Sequence, residues 1–407
     1  MATVTGGGST TVINAGSNDA NGVAQALANT ISAGLASGGN LTRTTGPNPA
    51  TGYGVLTIST TNASVADQPA VSVNLINGGG AVVAGGFVNL TGTGGPNQMV
   101  LADNENLTFF TNGGSGTVVT GDGNNFIGTP TVGGGQFSFT TGNGNDVINA
   151  ISGQNTVSAG GGNNFVFTGF ASDTVFSTGN DTVSGVGGTA GVTDTIFGGN
   201  GTTLIGEFNK NLTFVGGNGQ ATVLAGNGSY LLNGGVGGGL FAGGKAGNNL
   251  IAGGTGAVGS TIFGGGNGDV IFARGSARNL IAAGSGNETL SGAGSSGDNI
   301  FFNTVGNSLI LGGSGNDTFF VGSGNSTVNG GIGADVFAIQ SGSAGGTVSI
   351  SNFNSSERVT LLGYGPNERS NAIANQVNSG GSTTITLSDN TRITFVGISS
   401  ISNSSFS

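Results

Sequence analysis

Large apolar residues return along this chain at every ninth position. Ile205, Phe214, Val223, Leu232, Phe241 and Leu250 form one such run, Ile148, Val157, Val166 and Val175 a second, and Ile310, Phe319, Val328 and Phe337 a third. Most of them follow a turn of Gly and Asn. A nine-residue period cannot keep one side of a 3.6-residue helix buried, but it suits a short strand and a tight turn repeated many times. Two such halves make a coil of ~18 residues, and coils stack at the ~4.8 Å spacing of neighbouring strands. The pattern predicts an all-β chain, wound as a parallel β-solenoid over residues 113–342. The longer intervals Ile127–Ile148, Thr182–Ile196 and Leu250–Ile271 read as loops on one side of the winding.

Residues 1–112 break the period. Val23, Leu27, Ile31 and Leu35 fall four apart between Ser17 and Ser37, which predicts one short amphipathic helix. Its flanks read as strands at Thr10–Ile13, Val55–Thr60, Val71–Ile76, Ala81–Val83, Phe87–Leu90 and Leu107–Thr111, with a loop at Gly46-Pro47-Asn48-Pro49. A small α+β capping or docking domain is expected here, because the end coil of a solenoid otherwise offers unpaired strand edges. Beyond residue 342 the strands lengthen: Thr347–Phe353, Glu357–Tyr364, and a hairpin of Thr383–Leu387 and Thr391–Val396 around Ser388-Asp389-Asn390. Residues 343–407 are therefore expected to form a C-terminal β cap.

Composition narrows the chemistry. Glycine supplies 88 of 407 residues, roughly three times the usual ~7% share. No Gly-X-Y period accompanies it, which excludes collagen. The periodic Phe, Ile, Val and Leu argue against disorder. Eighteen acidic and eight basic residues leave a net charge of −10, so neither nucleic acid nor anionic lipid is an expected partner. No apolar run is long enough to span a bilayer, and no membrane insertion is expected. The N-terminus lacks a basic stretch followed by an apolar one, so no cleaved leader is expected. The absence of histidine and cysteine rules out zinc-protease helices, Ser-His-Asp triads and thiol chemistry. Glu105, Glu207, Glu288 and Asp298 are scattered rather than paired, as solvated carboxylates would be. Phe outnumbers Tyr 24 to three and Trp is absent, which suits core stacking better than a carbohydrate platform.

One motif carries more information than any of these. Gly312-Gly313-Ser314-Gly315-Asn316-Asp317-Thr318-Phe319-Phe320 fits the nonapeptide GGxGxDxUx of the calcium-binding parallel β-roll. Gly330 to Phe337 repeats it with Asp335, Gly142 to Ile148 nearly so with Asp146, and Gly264 to Ile271 more loosely with Asp269. On these residues the chain resembles the RTX (repeats-in-toxin, haemolysin-type) family of secreted bacterial proteins. The resemblance implies calcium between stacked turns, held by carboxylates and turn carbonyls. This sequence departs from the pattern: the acidic slot carries Asn125, Asn155, Asn164, Thr203, Ala221, Tyr230, Ser308 and Ser326, and Glu288 once. Asp317 and Asp335 are both aspartate at a separation of one coil, so the expected calcium site is Asp317/Asp335, with weaker ones at Asp146, Asp173 and Asp269. Asp122, Asp181 and Asp194 read as ordinary turn residues. Asn and Thr in the remaining slots would bond from coil to coil without metal.

The C-terminal segment, Ser349 to Phe406, is similar to the uncleaved type I secretion signals of that family. Together these features lead to the expectation of a secreted, non-enzymatic structural protein. It would build a homopolymer (filament, surface layer or biofilm matrix) through strand edges and terminal domains. The alternatives are a monomeric adhesin that binds a cell-surface polysaccharide and, less favoured, a polysaccharide-acting enzyme.

Overall fold

The computed structural model describes residues 1–6, 9–20, 22–36, 41–44, 50–57, 71–84, 88–92, 98–104, 106–111, 113–129, 135–188, 190–206, 209–224, 226–284, 286–342 and 345–407. The expected loop Gly46–Pro49 lies outside them. The chain divides into two compact units, Met1–Asn211 and Leu212–Ser407, both wound by the same rule. Each coil strand pairs in parallel with the strand next but one in sequence. In the second unit, Ser260–Phe263 pairs with Leu280–Ala282, and the intervening Val270–Gly275 pairs with Thr289–Ser295. Two parallel sheets therefore face each other, and every second side chain points between them. The expected parallel β-solenoid is what forms.

The inward positions make two columns in each unit. In the second unit one column is Phe241, Ile262, Ile281, Phe301, Phe319, Phe337 and Val359, and the other runs from Phe214, Leu232, Ile251 and Ile271 to Leu290, Ile310, Val328 and Ile350, all fully buried or nearly so. Phe301, Phe319 and Phe337 stack with centroids 5.1 and 5.2 Å apart and planes within 15°. In the first unit Ile127, Ile148, Val166 and Val183 form one column, and Phe139, Val157, Val175 and Ile196 the other. One ladder position differs from expectation. Leu250 is 42% exposed, while Ile251 is buried and pairs with Leu232. An extra residue in the preceding turn shifts the phase by one, and a one-residue slip turns a side chain to the opposite face. Leu204, not Ile205, stands in register with Val183.

Parallel pairing also runs past both expected boundaries. Gln98–Ala102 pairs with Gly116–Val119 and Val88–Gly92 with Leu107–Thr111, upstream of residue 113. At the other end Thr347–Ser351 and Arg358–Leu362 continue the two sheets. Upstream the nine-residue spacing itself continues, through Val100, Phe109, Val118 and Ile127, all buried; downstream it does not, since Val328 to Ile350 and Phe337 to Val359 each span 22 residues. The N-terminal helix is split into α1 (Ser17–Ala20) and α2 (Val23–Ala36). Its buried side is Ala24, Leu27, Ala28 and Ile31, packed with the hairpin Ala2–Gly6/Ser9–Ile13 against Leu101 and Val119; Val23 faces outward. The cap is pinned by Asp122, whose Oδ1 accepts from the Ser17 amide (3.0 Å) and hydroxyl (2.8 Å). Asn18 Nδ2 donates to the Thr120 carbonyl at 2.7 Å.

At the C-terminus Val377–Ser379, Ser382–Thr386 and Arg392–Phe395 form antiparallel hairpins, and the last strand lies parallel to Thr347–Ser351. The helix α3 (Glu368–Ala374) precedes them. Ile401 and Phe406 bury against this end, and the Ser407 amide donates to the Val359 carbonyl at 3.1 Å.

The phase shift at Leu250 is testable by equilibrium denaturation. Ile251→Ala should cost about 2–5 kcal/mol, whereas Leu250→Ala should stay within about 0.5 kcal/mol of wild type.

Candidate calcium centre

Each turn delivers one side chain into the interior two residues before a core residue, and these slot side chains are buried. Their geometry is repetitive. The slot oxygen of one coil accepts a hydrogen bond from the backbone N–H of the slot residue in the preceding coil. In the first unit Asn125 N–H donates to Asp146 Oδ1 (2.7 Å), Asp146 N–H to Asn164 Oδ1 (2.8 Å) and Asn164 N–H to Asp181 Oδ1 (3.0 Å). In the second, Asn279 N–H donates to Asn299 Oδ1 (3.3 Å), Asn299 N–H to Asp317 Oδ1 (2.7 Å) and Asp317 N–H to Asp335 Oδ1 (2.8 Å). Asn side chains add a second bond, as from Asn299 Nδ2 to Asp317 Oδ1 at 3.0 Å. Asn and Asp are equivalent in this role, because each offers one carbonyl-type oxygen at the same reach.

The carboxylates differ in what their second oxygen meets. At Asp317 it accepts from the Gly313 amide at 2.7 Å, so both oxygens are engaged. At Asp181 it accepts from the Ser177 hydroxyl, and at Asp269 from the Gly265 amide at 2.7 Å. Asp335 is different. Its Oδ2 is buried with no donor from any other residue, and so is Oε1 of Glu357, the slot residue of the next coil, so the two carboxyls can bond only each other, through a shared proton. The register aligns them, with Val336 paired to Arg358. Gly330 makes room: a Cβ there would collide with Asp335 Oδ2 and stand 2.9 Å from Glu357 Oε1. Burial, reinforced by the charge of Asp335, pushes the Glu357 carboxyl up to about 7. Burial also pushes Asp335 up to about 6, with the Asp317 charge adding to it against the bond from the Asp317 amide.

The expected partner of Asp335 was Asp317. The structure turns the unengaged oxygen of Asp335 towards Glu357 instead, and Asp317 contributes through its backbone amide. Glu357 lies 22 residues after Asp335 rather than 18, outside any nonapeptide, which is why the motif did not reveal it. A second acidic pair stands at Asp269 and Glu288. Both Glu288 oxygens are buried without a partner, and burial together with the Asp269 charge raises that carboxyl to about 7. Asp146 retains one unpartnered oxygen, but its ladder neighbours are the neutral Asn125 and Asn164. Asp173 faces the ammonium of Lys210. Glu105 and Glu207 lie outside the described residues, and Asp298 accepts from the Asn316 amide at 2.7 Å in an exposed turn.

Among the described residues no three acidic side chains converge as a ready-made cage. Orphaned buried oxygens nevertheless fit a hard cation, which takes carboxylate and carbonyl oxygens together. Asp335 with Glu357 would hold calcium, and Asp269 with Glu288 offers the second set. Bound there, the ion would replace a shared proton and remove the repulsion between the two carboxyls.

This gives a pH dependence. A carboxyl raised in the folded state binds its proton more tightly there than when unfolded, so its stabilising contribution is complete below the unfolded value and is lost as pH rises through the folded one. In chelator, stability should therefore fall between about pH 4.5 and 7, the span from the ordinary Glu value to that of Glu357. Thermal midpoints measured across that range should show the fall in wild type, a shallower fall in Glu357→Gln, and its reversal by calcium.

With the geometry in view, comparison with known proteins is informative. The family model of the RTX calcium-binding nonapeptide repeat matches three segments of the chain, residues 140–175, 293–328 and 311–338. No curated protein matches the chain. Repeats of this type bind calcium and are typically carried by proteins exported through type I systems. The matched segments include Asp146, Asp173, Asp317 and Asp335, but neither Glu288 nor Glu357. The chain is therefore similar to RTX-type repeat proteins: its parallel β-solenoid carries the calcium-binding nonapeptide over residues 140–175 and 293–338.

Proposed function

We propose that this secreted calcium-binding repeat protein is a structural subunit that associates laterally with copies of itself into an extracellular filament, surface layer or biofilm matrix. The observation that supports this reading most is the outward side of the sheets. In the second unit Leu231 and Leu250 stand in register as neighbours, 45% and 42% exposed. Phe302 and Phe320 stack on the outer face at 4.6 Å. In the first unit Phe176 and Phe197 stack at 4.9 Å with planes 5° apart. Rows of apolar side chains on a flat, weakly charged face favour burial against a like face.

The C-terminal end favours lateral joining. The N-terminal cap packs on Leu101 and Val119 at the side of its own unit, and Phe406 bridges in parallel to Val359 at the end of the C-terminal unit, where it limits strand addition. The reading is non-enzymatic: the buried carboxylates are spread along the slots, engaged in ladder bonds or stacked from coil to coil. Export would use a type I route with the C-terminal segment as its address.

Negative-stain microscopy and light scattering of the purified protein test the reading across a concentration series. Filaments or sheets are expected, and Leu231→Ser/Leu250→Ser should weaken their formation. Persistent monomers at high concentration, with retention on cell-surface polysaccharide, would overturn assembly in favour of an adhesin.

A further inference from the structure

The first unit contains a buried lysine that neither the nonapeptide nor the calcium reading explains. Lys210 has a fully buried side chain. Its ammonium donates to both carboxylate oxygens of Asp194 at 2.8 Å and stands 4.0 Å from Asp173 Oδ2. Asp173 and Asp194 are slot residues one coil apart, linked by the bond from Asp173 N–H to Asp194 Oδ1 at 2.9 Å. Asp173 is otherwise engaged by Asn155, whose N–H and Nδ2 donate to Oδ1, and by the Gly169 amide on Oδ2. The Lys210 ammonium therefore sits against carboxylates of successive coils, where an inter-coil cation would sit.

We propose that Lys210 is a tethered substitute for a divalent cation, and that Asp173/Asp194 is a cation site kept closed by the chain's own ammonium. The chemistry supports the substitution. Two buried carboxylates stacked one coil apart repel each other and have lost their hydration, so a positive charge is required for both to remain ionised. A lysine provides that charge without an ion from solution: its N–H donors satisfy both oxygens of Asp194, and its charge lies 4.0 Å from Asp173 Oδ2. It supplies a single positive charge, whereas calcium brings two, so removing the side chain leaves an acidic pair suited to a hard divalent ion. The coils around residues 173–197 should accordingly ignore calcium in the wild-type protein, unlike those around Asp335 and Glu357.

Peptide-resolved hydrogen exchange on the full chain, in calcium and in chelator, tests this with Lys210→Met. In wild type the strands Thr174–Phe176 and Thr193–Phe197 should exchange equally slowly in both conditions. In Lys210→Met in chelator they should exchange ~100-fold faster or more, the scale of an uncompensated buried charge, and millimolar calcium should restore protection. Retained protection of Lys210→Met in chelator would overturn the proposal, as would a loss that calcium does not reverse. If Lys210→Met fails to fold in either condition, the triple variant Asp173→Asn/Asp194→Asn/Lys210→Met decides. Folding of that variant irrespective of calcium supports charge compensation, and its failure overturns it.

Discussion

The hydrogen bond from a buried slot amide to the side-chain oxygen of the next coil is what the rest of this structure depends on. Winding places one backbone N–H of every half-coil in the interior, away from water. An unmade bond there would cost about 1–3 kcal/mol, repeated at every coil. Asn, Asp and Ser side chains supply the missing acceptors, as at Tyr230 to Asn249 (2.9 Å) and Glu288 to Ser308 (3.4 Å). The core columns of Phe, Ile, Val and Leu supply burial, but the slot bonds fix which residue lies over which.

This explains how a calcium-binding scaffold can carry mostly neutral slots. An aspartate in this position does two things: one oxygen closes the ladder, and the other is available to a cation. Asparagine keeps the first function and gives up the second, without the repulsion of stacked carboxylates. Where acids remain, their second oxygens meet different fates. Asp317, Asp181 and Asp269 spend them on Gly313, Ser177 and Gly265. Asp194 meets Lys210. Asp335 with Glu357, and Glu288 beside Asp269, keep oxygens without a donor from outside the pair. The number of Asp-bearing nonapeptides is thus a poor guide to the number of cation sites.

Much of the fold was legible in the sequence because the determinant is one-dimensional. A strict period puts Ile148, Val157, Val166 and Val175 on inward faces, and all are buried. The failures occur where information is not periodic. One extra turn residue moved the inward position from Leu250 to Ile251. The helix face was taken from Val23, Leu27, Ile31 and Leu35; Leu27 and Ile31 are buried as expected, but Ala24 and Ala28 share the contact and Val23 faces outward. The site was legible in half. Asp335 followed from its motif. Glu357 did not, since a longer loop separates it from the preceding slot, and Lys210 did not, since a lysine in place of an ion leaves no ligand signature.

The account's central claim is that neutral side-chain ladders hold most of the coils and that calcium acts locally. Hydrogen exchange of the wild-type chain, resolved by peptide and compared between calcium and chelator, tests it most directly. Protection should be unchanged along the Asn-bearing coils, including Phe137–Thr140 and Ser260–Phe263. It should fall on calcium removal around Val336–Gln340 and Arg358–Leu362, and to a smaller extent around Thr289–Ser295. Loss of protection along both units at once would contradict the account, since it would make calcium, not the ladder, the interaction that holds the coils together.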